Sequence, residues 1–318
     1  MRLVRIDFAD LSLFEFDYDL TWFVFFLGAD ETIYGRYGGR DAKGPDERNS
    51  LAGLRYAMTA AADAHRTRSN EAPPKRTSKK IHDYPEAKSY GASCIHCHQV
   101  NEIMRAQAKK DGTWKRSQLW VYPLPDNLGI ILAKDQGDLA AKIHDGSPAA
   151  KAGIKAGDRI ERIGETAIHS FADAQHALHH APLVGDLPIR WQRGGVSMKG
   201  DLVLAEGWKK TNLTWRPSLF DILPSFPLFG NDLNAKEKQS LGLAANRLAF
   251  RHARKLPAAA VQAGMQEGDV IVGIDGQTME MSSDDFLAHI RRNYLVNDRV
   301  TINVLREGKR VDLPWTLR

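Results

Sequence analysis

Five neighbouring residues hold the most distinctive chemistry in this 318-residue chain: Cys94-Ile95-His96-Cys97-His98. Two thiols spaced like this, with an imidazole directly after the second, can add as thioethers to the vinyl groups of a haem, and His98 then swings under the iron as axial ligand. The reading taken is therefore covalent haem c on Cys94, Cys97 and His98. His82 is the candidate for a second axial or metal ligand, with His65 beside it. Met104 follows His98 by six residues, about 9 Å along the same helix, and so falls on the proximal side. A zinc or copper site using Cys94, His96, Cys97 and His98 is the alternative. Four donors within five residues are too crowded to close one tetrahedron, so another segment or chain would have to contribute. A thiol-disulfide pair at a helix mouth is the third chemistry, because a helix N-terminus lowers thiol pKa values.

The elements that would position this motif follow from its flanks. Asn101 to Lys110 continues as a helix, and the surrounding Gly91-Ala92-x-Cys-x-x-Cys-His-x-Val100 resembles class I cytochromes c. The resemblance implies an electron-transfer partner and maturation outside the cytoplasm, hence an extracytoplasmic or periplasmic protein; a different reading of the motif would leave it cytoplasmic. Met1 to Asp10 carries Arg2, Arg5, Asp7 and Asp10, so no apolar signal-peptide core can be drawn there, and the expectation is that any signal peptide is missing from this chain. The longest apolar run, Trp22 to Leu27, is far too short for a membrane span. A net charge of +5 gathers partly in Lys75, Arg76, Lys79 and Lys80. Nothing aromatic interleaves these charges, which reads as a solvated linker and gives no nucleic-acid partner.

The second half carries one module twice. Ser147-Pro148-Ala149-Ala150-Lys151-Ala152-Gly153-Ile154-Lys155-Ala156-Gly157-Asp158-Arg159-Ile160 returns, with two extra residues, as Leu256-Pro257-Ala258-Ala259 and Gln262-Ala263-Gly264-Met265-Gln266-Glu267-Gly268-Asp269-Val270-Ile271. Each copy continues through a strand, a turn, an amphipathic helix and an alternating strand. The pattern resembles a PDZ domain of the kind found beside bacterial envelope proteases. That resemblance implies partly open β-barrels that bind protein C-termini or extended peptides by strand addition, with the terminal carboxylate held by backbone N–H groups of a Gly-containing loop. It places the loop at Leu128, Gly129 and Ile130 in copy one and at Leu241, Gly242 and Leu243 in copy two. His176, His179 and His180 share one helix face at spacings that can bind metal; the reading taken is that they line the groove of copy one.

Upstream, Val4 to Asp7 reads as a strand, Thr21 to Leu27 as a buried strand, Thr32 to Tyr37 as its hairpin partner, and Ser50 to His65 as a helix with Leu51, Leu54, Met58 and Ala61 on its apolar face. This looks like the C-terminal half of a thioredoxin fold without its cysteines or cis-proline, so thiol-disulfide catalysis does not carry over. The expected organisation is an α+β multidomain chain: a partial thioredoxin-like α/β segment at 1–65, a basic linker at 66–88, a short helical CxxCH segment at 89–116, PDZ copy one at 117–207, a connector at 208–232 and PDZ copy two at 233–318. The order resembles multidomain proteins of planctomycete-type bacteria. No nucleotide-binding, nucleophile-elbow or metalloprotease motif is present, and a stand-alone enzyme is not expected. The expected function is an extracytoplasmic redox or haem-binding scaffold whose PDZ copies hold partners; the alternative is a peptide-binding adaptor of envelope protein quality control.

Overall fold

The computed structural model describes residues 5–67, 75–91 and 94–318. Val4, part of the linker and the Ala92-Ser93 portion of the cysteine motif lie outside the described residues. The chain forms two compact units, 1–211 and 212–318.

In the first unit β1 (Val24–Leu27) and β2 (Ile33–Tyr37) form an antiparallel ribbon with Val24 opposite Tyr37. No third strand joins this ribbon among the described residues; of the strand expected over Val4 to Asp7, Arg5 and Ile6 are irregular and Asp7 opens a turn. Helix α1 (Leu51–Thr67) starts at Ser50, whose Oγ accepts the Gly53 N–H at 2.9 Å. Its buried face is Gly53, Ala57 and Ala61, while Leu51 and Met58 are exposed. The apolar face expected at Leu51 and Met58 is thus displaced, and sterics supply the reason: a Cβ at Gly53 would clash with Lys134 O, and Gly35 of β2 packs against Ala61.

The aromatic run is not a central strand. Its odd members, Phe23 and Phe25, fold against Phe14 and Phe16, with Phe16 and Phe23 stacked at 5.1 Å. This cluster continues into Ile81, Ile95, Val100 and Ile103. The described part of the basic linker is therefore anchored: Ile81 is fully buried, and Leu11 N–H donates to Lys79 O at 2.7 Å. Helix α2 (Cys97–Lys110) contributes Val100 and Ile103 to the same core.

Copy one follows. It comprises β3 (Ile130–Leu132), β4 (Ala140–Ile143), α3 (Pro148–Lys151), β5 (Arg159–Ile163), β6 (Thr166–Ala167), α4 (Phe171–His180), β7 (Gly185–Arg193) and β8 (Val196–Leu204). Strands β3 and β4 pair with each other, and the remaining strands form an antiparallel sheet in the order β6-β5-β7-β8. A bridge between Leu139 and Arg159 joins the two sheets into a partly open barrel around Ile160, Leu178 and Trp191.

The second unit repeats the plan with α5 (Ala235–Ser240), β9 (Phe250–Arg251), α6 (Ala258–Gln262), β10 (Val270–Ile274), α7 (Ser283–Asn293), β11 (Arg299–Arg306) and β12 (Lys309–Thr316) in the sheet order β12-β11-β10-β9. The repetition extends to irregularities. The register slips between Ile160 and Arg162 in copy one and between Ile271 and Gly273 in copy two. Both Gly-Asp turns close on an arginine from a later strand, Arg193 on Asp158 and Arg306 on Asp269, each with two nitrogens at 2.7–2.9 Å.

Candidate functional site

In copy one a 3₁₀ turn over Pro125–Leu128 leads into Gly129, whose φ of 85° is the left-handed conformation that glycine adopts without cost. A side chain here would collide with Ser147. Strand β3 follows at once and, among the described strands, pairs only with β4, which leaves its other edge for an added strand. Leu128 and Ile130 are 0% and 1% exposed, so the backbone is what this loop can offer a ligand. The Gly129 N–H already donates to Asp126 O at 2.9 Å. Asn127 Nδ2 ties the turn to Trp208 O at 2.8 Å and Lys210 O at 3.1 Å.

Copy two places its corresponding loop elsewhere than expected. His144 N–H donates to Gly129 O in copy one, and Ala253 N–H donates to Phe229 O in copy two; Ala133 N–H to Leu139 O is matched by Leu233 N–H to Ala249 O. The hydrogen-bond register therefore sets Leu228, Phe229 and Gly230 where copy one has Leu128, Gly129 and Ile130. Leu228, like Leu128, is fully buried. Leu241, Gly242 and Leu243 instead form the turn that ends α5, with Leu243 N–H on Lys238 O, and the two leucines pack on Leu233 and Val270. That helix starts at Asn234, which caps the N–H groups of Lys236 and Glu237, and it lies in the chain between the Leu228–Gly230 loop and β9.

The N-terminal segment docks on copy one. Asp173, buried in α4, accepts the Arg36 N–H at 3.0 Å, and Ser170 Oγ donates to Arg36 O at 2.5 Å. A Cβ at Gly39 would press into the Phe171 ring. Arg48 lies 4.9 Å over that ring and pairs with Asp41 at 2.9 Å and Asp126 at 2.6 Å. His176, His179 and His180 accordingly face this segment: His176 Nε2 meets Arg36 Nη2 at 3.1 Å, His179 Nε2 is 3.9 Å from Glu15 Oε1, and His180 Nε2 is 3.2 Å from Glu15 Oε2. A cavity of about 290 Å³ opens between Ile33, Tyr34, Arg36, Arg162, Glu165 and His176.

In the cysteine motif, Asp7 holds the loop by accepting the Ile95 N–H at 3.2 Å. Cys94 is exposed; Cys97, the first residue of α2, is half-buried against the aromatic core, and burial pushes its thiol up. His98 Nδ1 lies 2.9 Å from Glu102 Oε1. His82 lies 4.0 Å from Asp7 and His65 packs on Tyr34. Among the described residues no three of Cys94, His96, Cys97 and His98 bring donor atoms within 4.8 Å of one another; Glu15, His176 and His180 do. The fit to a porphyrin is poor. The apolar side of α2, Val100 and Ile103, is packed by protein, and Asn101 and Glu102 beside His98 are polar.

Sequence models of the PDZ domain match residues 140–192 and 255–317. The chain carries two PDZ domains. Among curated relatives, the serine protease Do-like HtrA of Lactococcus lactis subsp. lactis (strain IL1403) is 36% identical over 70 residues, 22% of this chain and 17% of that protein. The periplasmic serine endoprotease DegP of Escherichia coli (strain K12) is 27% identical over 181 residues, 56% of this chain and 35% of DegP. The chain thus spans well under half the length of either. The solved HtrA-type protease AlgW with tripeptide aligns over 51% of this chain and 52% of that one, at 18% identity and a TM-score of 0.28. No helix among the described residues is long and apolar enough to cross a membrane.

Proposed function

We propose that this chain is a peptide-binding adaptor of extracytoplasmic protein quality control, in which the PDZ domains take extended peptides or protein C-termini. The observation that carries the reading is β3: it leaves a left-handed glycine turn and, among the described residues, pairs on one side only, the arrangement that strand addition needs. In copy one the peptide would lie along β3 beyond Leu128, Gly129 and Ile130. In copy two it would lie along the segment after Leu228, Phe229 and Gly230, where Asp232 bridges Phe250. The similarity to the serine protease HtrA and the periplasmic serine endoprotease DegP supports the setting. Haem c on Cys94, Cys97 and His98, with an electron-transfer partner, is the weaker reading, because the apolar side of α2 is spent on the N-terminal core.

Fluorescence anisotropy with labelled peptides of apolar C-terminus tests the proposal. A free-acid peptide is expected to bind, and to bind more tightly than its amidated twin. Gly129→Ala and Gly230→Ala, each strained at one loop, assign the signal to a copy. Absence of binding across a panel of such peptides would overturn the reading.

A further inference from the structure

Two of the three histidines of α4, His176 and His180, converge on a carboxylate from more than 160 positions earlier in the chain. Glu15 stands between Phe14 and Phe16, both packed in the aromatic core, so its backbone is fixed on either side. Its Oε2 is 3.2 Å from His180 Nε2, and the rings of His176 and His180 meet edge-on at 4.7 Å between centroids. Donor atoms of Glu15, His176 and His180 all lie within 4.8 Å of one another. We infer that Glu15, His176 and His180 form a binding site for one Zn²⁺ ion, joining the N-terminal segment to the helix of the first PDZ domain.

The donor set suits that metal. Two imidazoles and one carboxylate at about 2.0–2.2 Å, with the fourth position open, is a recurrent zinc arrangement. Ligands on a tetrahedral ion are about 3.4 Å apart; the Glu15–His180 pair already has that spacing, and the donor atom of His176 lies within 4.8 Å of both. His176 Nδ1 is buried and makes no hydrogen bond. The surroundings orient the ligands. His179 receives the Tyr122 N–H on Nδ1, which leaves its other nitrogen the proton, 3.9 Å from the second oxygen of Glu15. Tyr122 also stacks on the His179 ring at 4.2 Å. His179 and His180 lie in the last turn of α4, the helix end whose partial negative charge favours a cation. Arg36, whose Nη2 lies 3.1 Å from His176 Nε2, opposes a cation there, but its charge is matched by buried Asp173.

The test uses the full chain with Cys94→Ser and Cys97→Ser, so that thiolates cannot contribute. After chelator stripping, Zn²⁺ is titrated against a chromophoric competitor, and Co²⁺ absorption reports the ligand type. The inference expects one equivalent bound, a cobalt spectrum without thiolate charge transfer, and a loss in His180→Ala and Glu15→Gln exceeding the ~10–100-fold that an outer-shell change costs. Arg36→Gln, which keeps the backbone docking to Asp173 and Ser170, is expected to tighten binding. His180 is the more exposed ligand, so His180→Ala tests the site without emptying a core position. Absence of saturable binding in the cysteine-free chain, or binding unchanged in His180→Ala and Glu15→Gln, would overturn the inference.

Discussion

Arg48 in the N-terminal segment donates to Asp126, two residues before Leu128, at 2.6 Å. The same guanidinium holds Asp41 and covers the Phe171 ring. One cation thus ties the segment to both the loop and the helix of the first PDZ domain. Asp41 is buried, and removing one partner of a buried pair leaves the other charge uncompensated, which costs about 3 kcal/mol. Arg48→Ala is expected to lower the melting temperature of the chain and to speed limited proteolysis around residues 38–50. Unchanged melting and cleavage would show the contact to be dispensable.

Much of the PDZ architecture was legible because its chemistry is local. The Gly-Asp turns at Asp158 and Asp269 each accept a backbone N–H from three residues upstream, at Lys155 and Gln266, and such spacing survives in the sequence. The copy-two loop was not legible. Leu241-Gly242-Leu243 looks like a PDZ loop, whereas Leu228-Phe229-Gly230 sits among prolines that read as a connector; only the pairing with Ala249 and Ala253 separates them. The N-terminal segment failed differently. An apolar run cannot tell a two-stranded ribbon covered by Phe14, Phe16 and Ile81 from a strand inside a larger sheet, since both bury the same residues. The meeting of Glu15 with His180 depends on that docking, and no spacing rule announces it.

Acid should loosen the N-terminal segment early. Burial alone would raise the Asp10 carboxyl, but the Ser12 hydroxyl and the N–H groups of Lys79 and Ser12 hold it down to about 2. A carboxyl depressed from 3.8 stabilises the fold above its unfolded value and ceases to do so as pH falls through its folded value. Stability is therefore expected to drop between about pH 4 and pH 2, with Asp10 contributing on the order of 1 kcal/mol after solvent screening. Asp10→Asn should flatten the denaturation midpoint over that window. An equally steep profile in the variant would assign the drop to other carboxyls, such as Asp158, which the Arg193 pair and the Lys155 N–H hold low against burial.

The two cysteines should differ in reactivity. Cys94 is exposed, while Cys97 is half-buried and its thiol is pushed up by burial, leaving less thiolate at neutral pH. Timed alkylation followed by peptide mass spectrometry should label Cys94 well before Cys97. Asp7→Ala, which releases the Ile95 N–H from its carboxylate, should narrow that difference. Equal rates in the unmodified chain would contradict the burial of Cys97.

Removing residues 1–65 tests whether the segment is a packing unit. It contributes Ile6, Leu11, Phe16 and Tyr18 to the core that covers Ile81, Ile95, Val100 and Ile103. Each large apolar side chain returned to water costs about 1.5–3 kcal/mol, and uncovering four at once leaves a contiguous patch that promotes association. The deletion also takes Arg36 from Asp173, whose carboxylate is buried in α4. The shortened chain is expected to melt at lower temperature and to self-associate in light scattering. Damage should concentrate in residues 75–211, because the second unit has its own core around Phe250, Phe286 and Ile302; hydrogen exchange would then show faster exchange in α2 and α4 with α7 unchanged. Unaltered melting, mass and exchange would mark residues 1–65 as an independent appendage.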